Sequence, residues 1–142
     1  MAPRDTDRAP VKTLLGFDFG TVRIGVAVGQ TVTGTATPLE TLVGAHQRPD
    51  WEGIGRLIAC WQPDRLVVGL PADLDGSDTE LSDRARRFAR QLHGRYHLPV
   101  EMMDERLTSM AARSRQRPGS RDYRQRDAIA AQLILETWLS EH

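Results

Sequence analysis

The chain has 142 residues, enough for one domain with a sizeable core but not for a second domain. Its 19 basic and 19 acidic residues cancel, so the net charge gives no indication of a nucleic-acid partner. The single cysteine, Cys60, excludes an internal disulfide and a cysteine-rich zinc site.

The N-terminal segment is predicted to be a disordered tail over residues 1–11, because it is polar and contains proline. It lacks the apolar core of a signal peptide, and no apolar run elsewhere reaches the length that spans a membrane. We therefore expect a cytoplasmic protein with no membrane partner. Its single domain is expected to occupy residues 12–142.

Three strands are predicted next. Residues 14–19 and 23–28 are rich in apolar and β-branched side chains and are separated by a short turn, which is typical of a hairpin. Residues 35–43 form a third strand, and Pro38 places it at the edge of a sheet. Alternation along the hairpin gathers small residues on one face, which predicts open space around Asp18.

The remainder of the chain alternates between helices and strands. Apolar residues at helical spacing predict a helix over residues 51–61, and a second helix begins at the capping box formed by Ser77 and Glu80. Strands are predicted at 65–71 and 97–103, followed by a short helix at 108–114, a polar loop at 115–124 and a last helix at 127–139. This order predicts an α/β fold, a mixed five-stranded sheet flanked by helices.

Three acidic positions are candidates for chemistry. Asp18 lies inside an apolar strand between two phenylalanines, where aspartate is unfavourable unless it has a function, although it could also form a turn before Gly20. Asp127 lies on the apolar stripe of the last helix, although aspartate is also a common helix cap. Asp104 and Glu105 end a predicted strand, and alternation allows at most one of them to reach the same site as the others.

Carboxylates from separate parts of one domain are the ligands that a hard divalent cation requires. Such a cation could support the hydrolysis of phosphodiesters. The alternative for Asp104 and Glu105 is a solvated strand end paired with Arg106. The histidines have no zinc-ligand spacing, and no serine has an evident histidine partner.

A basic segment precedes the last helix. Seven arginines and one acidic residue lie between Arg106 and Arg126, which produces a local field that attracts phosphate. A solvated, mobile segment is the alternative interpretation. The predicted phosphate-binding residues are all arginines: Arg23, Arg106, Arg115, Arg117, Arg121 and Arg124.

Several motifs occur together in an order that resembles one protein family. They are Asp18-Phe19-Gly20 with Arg23-Ile24-Gly25-Val26-Ala27, Val68-Gly69-Leu70-Pro71 with Asp75-Gly76-Ser77, Asp104-Glu105-Arg106-Leu107-Thr108, and Asp127 with Ala130-Ala131 and Ile134-Leu135. Over about residues 12–140 they resemble the successive signatures of the YqgF/RuvX family, whose members are described as pre-16S rRNA nucleases and Holliday junction resolvases. The resemblance implies an RNase H-like fold.

The resemblance also implies the roles of individual residues. The family's catalytic aspartates fall on Asp18 and Asp127, and its glutamate falls on Glu105. These three residues would be both the catalytic residues and the ligands of Mg²⁺ or Mn²⁺. The expected function is a metal-dependent endonuclease that processes the 5′ end of pre-16S rRNA.

Three other functions remain as alternatives. A Holliday junction resolvase acting on branched DNA would need a two-fold dimer, so that the chain is expected to be a monomer or a homodimer. A catalytically silent nucleic-acid-binding or transcription factor would keep the fold and lose cleavage. An actin-like ATPase or sugar kinase would use the turn after Asp18 to contact phosphate, but those proteins need two such domains.

Overall fold

The computed structural model describes residues 12–46, 48–70, 80–104 and 123–141. These residues form strands β1 Thr13–Phe19, β2 Arg23–Gln30, β3 Thr35–Val43, β4 Arg65–Leu70 and β5 Val100–Asp104, and helices α1 Trp51–Trp61, α2 Glu80–Tyr96 and α3 Tyr123–Glu141. Three predicted features lie outside them: the N-terminal tail, Ser77 of the capping box and the short helix at 108–114. No helix within the described ranges is long and apolar enough to cross a membrane.

The five strands form one sheet in the order β3-β2-β1-β4-β5. β1 pairs antiparallel with β2, and β2 pairs antiparallel with β3. β1 and β4 pair in parallel, as do β4 and β5; α1 lies between β3 and β4 in the chain, and α2 lies between β4 and β5. The predicted mixed sheet is confirmed, and Pro38 lies on the outer strand β3, where it removes no necessary ladder hydrogen bond.

The two faces of the sheet carry separate apolar cores. Leu15, Phe17 and Phe19 alternate from β1 toward α1 and α2, where they meet the buried ring of Phe88. Leu14 points to the other face, toward the apolar stripe of α3 formed by Ala131, Ile134, Leu135 and Trp138. A helix therefore covers each face of the sheet.

The predicted starts of β5 and α3 were wrong. The strand expected from His97 begins at Val100, because the preceding residues complete the end of α2 instead: the His97 amide donates to the carbonyl of His93 at 2.9 Å, and His97 has a positive φ of 57°. The last helix begins at Tyr123 and not at Asp127. Arginine and glutamine are good helix formers, so residues 124–126 favour a first turn ahead of the apolar stripe in the sequence.

Candidate active site

Asp18 lies near the carboxyl end of β1, between two glycines of the neighbouring strands. It is opposite Gly25 in β2 and opposite Gly69 in β4. Since residues paired across strands project to the same face, no neighbouring side chain covers the half-buried carboxylate from either strand. The sheet itself therefore leaves space beside the Asp18 side chain, because the two residues opposite it are glycines.

Helix α3 packs on the face of the sheet that carries Gly16 and Gly25. A Cβ atom added to Gly16 would lie 2.5 Å from Cγ of Leu135, and one added to Gly25 would overlap the backbone carbonyl of Asp127. The helix therefore fills the space beside Gly16 and Gly25, whereas the predicted space around Asp18 is present as a cleft that this residue lines. Only glycine at position 25 allows the backbone of α3 to approach the strand this closely.

The contact at Gly25 brings two distant acidic residues together. Asp18 is the cross-strand partner of Gly25, and Asp127 rests on Gly25 through its main chain. Both aspartates line one cleft of about 670 Å³, together with the turn after β1 and the start of α2. The sequence predicted that these two residues converge; that their carboxylates share a metal ion stays a prediction.

Asp127 faces two guanidinium groups. Nε of Arg23 donates to Oδ2 of Asp127 at 2.9 Å, and Nε of Arg126 lies 4.0 Å from Oδ1. Asp127 lies one turn inside α3, so its interpretation as the residue that caps the helix was wrong. Arg23, predicted to contact phosphate, is in the cleft but is held by a carboxylate.

The last residues of β5 alternate between the two faces of the sheet. Met102 packs on the core under α1 and α2, whereas Met103 belongs to the core under α3. Alternation therefore places Asp104, the last residue of β5, on the face opposite to Asp18. Glu105 lies outside the described residues, and within the described ranges no three His, Cys, Asp or Glu residues form a group that could hold a metal.

Of the other predicted phosphate-binding residues, only Arg124 lies within the described ranges. Arg106, Arg115, Arg117 and Arg121 lie outside the described residues. Arg124 belongs to the first turn of α3 and not to the predicted polar loop.

The structure adds two residues that the sequence analysis did not assign to the site. Glu80 and Arg84 lie one turn apart on α2 and both line the cleft. Their spacing of four residues would have placed them on one side of a helix, but Glu80 was interpreted only as part of a capping box. The polar face of α2 is therefore one wall of the site.

The fold belongs to a known class. The chain superimposes on RuvC of T. thermophilus, solved in complex with a Holliday junction substrate, with a TM-score of 0.52 and 18% identity, over 91% of this chain and 96% of that one. It also superimposes on a yeast mitochondrial Holliday junction resolvase with a TM-score of 0.56 and 12% identity, over 96% of this chain and 82% of that one. These similarities confirm the RNase H-like fold.

Sequence comparison identifies the family. Residues 12–141 match the family RuvX, described as Holliday junction resolvase, and the chain belongs to that family. A relative from Pseudomonas paraeruginosa, named "Putative pre-16S rRNA nuclease", is 55% identical over 94% of this chain and 95% of its own length. A relative of the same name from Azotobacter vinelandii is 53% identical over 92% of this chain and 94% of its own length.

Proposed function

We propose that this chain is a divalent-metal-dependent endonuclease of the cytoplasm that processes the 5′ end of pre-16S rRNA. The observation that carries the proposal is the meeting of Asp18 and Asp127 at Gly25, in an open cleft of about 670 Å³. The shared name of the relatives from Pseudomonas and Azotobacter supports the choice of substrate.

The residues of the cleft fit a hard cation, since the side-chain donors that Asp18 and Asp127 offer are carboxylate oxygens, the ligands that Mg²⁺ and Mn²⁺ prefer. We assign the third carboxylate to Glu105. Its neighbour Asp104 faces the other side of the sheet, and the glutamate of the family's motif falls on Glu105 in the sequence. When bound, Mg²⁺ or Mn²⁺ would supply an activated water and stabilise the leaving oxygen of the phosphodiester.

The basic residues then have two tasks. Arg23 fixes the orientation of the Asp127 carboxylate and balances its charge. Arg106, Arg115, Arg117, Arg121 and Arg124, together with Arg23, would contact phosphates, which gives salt-dependent binding with little sequence preference. Arginine suits this role because its planar fork matches the phosphate oxygens.

A second candidate function is resolution of four-way DNA junctions. The description of the matched family as Holliday junction resolvase favours it. Paired incisions on a symmetric junction would require a two-fold dimer of this chain, whereas RNA processing is open to a monomer. A third possibility, nucleic-acid binding without catalysis, differs from both by the absence of cleavage.

One experiment separates these functions. A pre-16S rRNA precursor and a synthetic four-way junction are incubated side by side with the wild-type chain and with an Asp18→Asn variant, in Mg²⁺, in Mn²⁺ and in a chelator. We expect the wild type to cut the RNA in either metal, and neither the variant nor the chelated sample to cut. Paired cuts in the junction alone would favour the resolvase, and binding without cleavage would overturn the nuclease.

A further inference from the structure

A second cleft, which is lined by basic residues, lies beside the candidate active site, on the face of the sheet covered by α1 and α2. It has a volume of about 480 Å³, and its basic lining residues are His46, Arg48, Arg84, Arg87 and Arg95. None of the described residues that line it is acidic. Arg84 and Phe19 line both clefts, so the two form one continuous surface. We call the second cleft the arginine groove.

The helix α2 supplies one wall of the arginine groove. Arg84, Arg87, Gln91 and Arg95 follow one another at three- and four-residue spacing, which places them in one stripe along the helix. The stripe is about 16 Å long at 1.5 Å of rise per residue, enough for several successive phosphates of one strand. Its end at Arg84 reaches the cleft that contains Asp18.

The opposite wall is a short ordered loop between β3 and α1. Ala45 and Arg48 exchange backbone hydrogen bonds of 3.2 and 2.9 Å, and His46 between them has a positive φ of 54°. Asp50 then caps α1 by accepting a hydrogen bond from the Gly53 amide at 3.0 Å. These contacts fix the backbone that carries Arg48.

The floor of the arginine groove is aromatic and rigid. The ring of Trp51 lies 5.5 Å from that of Phe88, and the guanidinium of Arg95 lies 4.1 Å from the centroid of the Trp51 ring. Arg48 and Arg87 are exposed, and they have no ion-pair partner among the residues that the structure describes. Their charges are available to a ligand that carries several negative groups at regular spacing.

We propose that the arginine groove binds the sugar-phosphate backbone of the nucleic-acid substrate, and that it directs the strand from the Asp18–Asp127 cleft along α2. The inference rests on the proposed nuclease function and extends it, because it assigns a substrate path that does not involve the basic segment between Arg106 and Arg126. The groove contacts phosphates, so it positions the strand without selecting a base sequence.

The test compares two variants of the same surface in a protein that binds but does not cut. In an Asp18→Asn background, Arg48→Gln combined with Arg87→Gln removes two groove charges, and Arg90→Gln removes an exposed charge of α2 that does not line the groove. The affinity for a fluorescent RNA hairpin is measured between about 50 and 200 mM salt, the range over which phosphate contacts dominate. Thermal melting establishes that both variants are folded.

We expect the groove variant to bind more weakly at every salt concentration, and the slope of log K against log salt to flatten by about 0.7 to 0.9 for each lost contact. The Arg90→Gln protein should match its parent. Equal affinities and slopes in the groove variant and its parent would overturn the inference. The same result is expected if the groove binds an acidic protein instead of nucleic acid. Cleavage by the otherwise wild-type chain is scored separately: a chain that shows this binding pattern but cuts no RNA upholds the groove and contradicts the nuclease.

Discussion

Nε of Arg23, at the start of β2, donates to Oδ2 of Asp127, one turn inside α3, at 2.9 Å. The pair joins the hairpin to the last helix at the place where Asp127 rests on Gly25. A guanidinium in this position competes with a metal ion for the same carboxylate oxygen. In the proposed nuclease, Arg23 would hold the Asp127 carboxylate until the cation binds.

Replacing Arg23 should strengthen metal binding. The pair is partly exposed, with 36% and 18% of the two side chains accessible, so its loss should cost no more than about 1 kcal/mol of stability. We expect Arg23→Gln to bind Mn²⁺ more tightly than the wild type in a calorimetric titration, because a positive charge leaves the site. Arg23→Lys retains that charge and should titrate like the wild type. Identical Mn²⁺ affinities for all three proteins would argue against Asp127 as a ligand.

Replacing Asp18 should separate cleavage from binding. Asp18→Asn keeps the shape of the side chain and removes its charge, so cleavage should fall by more than about 100-fold, the upper range for groups that only support metal ligands. Affinity for RNA should stay close to that of the wild type, since the arginines are unchanged. Cleavage at the wild-type rate by the purified variant would place the reaction elsewhere.

The two acidic residues after β5 provide a matched pair for the third ligand. Asp104 lies on the face opposite to Asp18, and we assign Glu105 to the site. We expect Glu105→Gln to lose cleavage and Asp104→Asn to retain most of it, in assays run after melting curves show that both proteins are folded. The reverse pattern would mean that the alternation of β5 breaks at its last residue.

The close approach at Gly25 makes a prediction about stability. A Cβ at this position would overlap the Asp127 backbone, so Gly25→Ala must displace α3 and should destabilise the fold by about 1 to 3 kcal/mol. At temperatures where the variant is still folded, its cleavage rate should also fall, because the shift moves Asp127 away from Asp18. Gly94 in α2 has no heavy atom within 4 Å of an added Cβ, and Gly94→Ala should stabilise by about 0.5 to 1 kcal/mol. Denaturant titrations of both variants measure this contrast.

Much of the fold could be predicted because the local pattern agrees with the final packing. The bounds of β3 and α1 match the prediction, since Pro38 suits an edge strand and α1 packs on one core through Trp51, Ile54, Leu57 and Ile58. The start of α3 could not be predicted, because residues 123–126 precede the apolar stripe in the sequence and only helix propensity favours a helix through them. The predicted strand at His97 failed because its backbone completes α2.

The sequence predicted Asp18 and Asp127, which line the cleft, but not the contacts around them. Asp18 is conspicuous because a charged residue inside an apolar strand is costly, and Asp127 because it lies on an apolar stripe. The pairing of Arg23 with Asp127 depends on how α3 crosses the hairpin, which no local pattern encodes. The same holds for the arginine groove, whose walls come from α2 and from a loop far away in the sequence.

The basic segment between Arg106 and Arg126 leads to the last prediction. Its seven arginines face only one acidic residue within the segment, so they should repel one another and attract phosphate. Replacing Arg115, Arg117 and Arg121 together with glutamine should weaken binding to RNA and DNA of every sequence alike. The slope of log K against log salt should flatten by about 0.7 to 0.9 for each lost contact. Fluorescence anisotropy on unrelated sequences measures both quantities. A triple variant with unchanged affinity and slope would identify the segment as a solvated connector and leave the arginine groove as the main phosphate-binding surface.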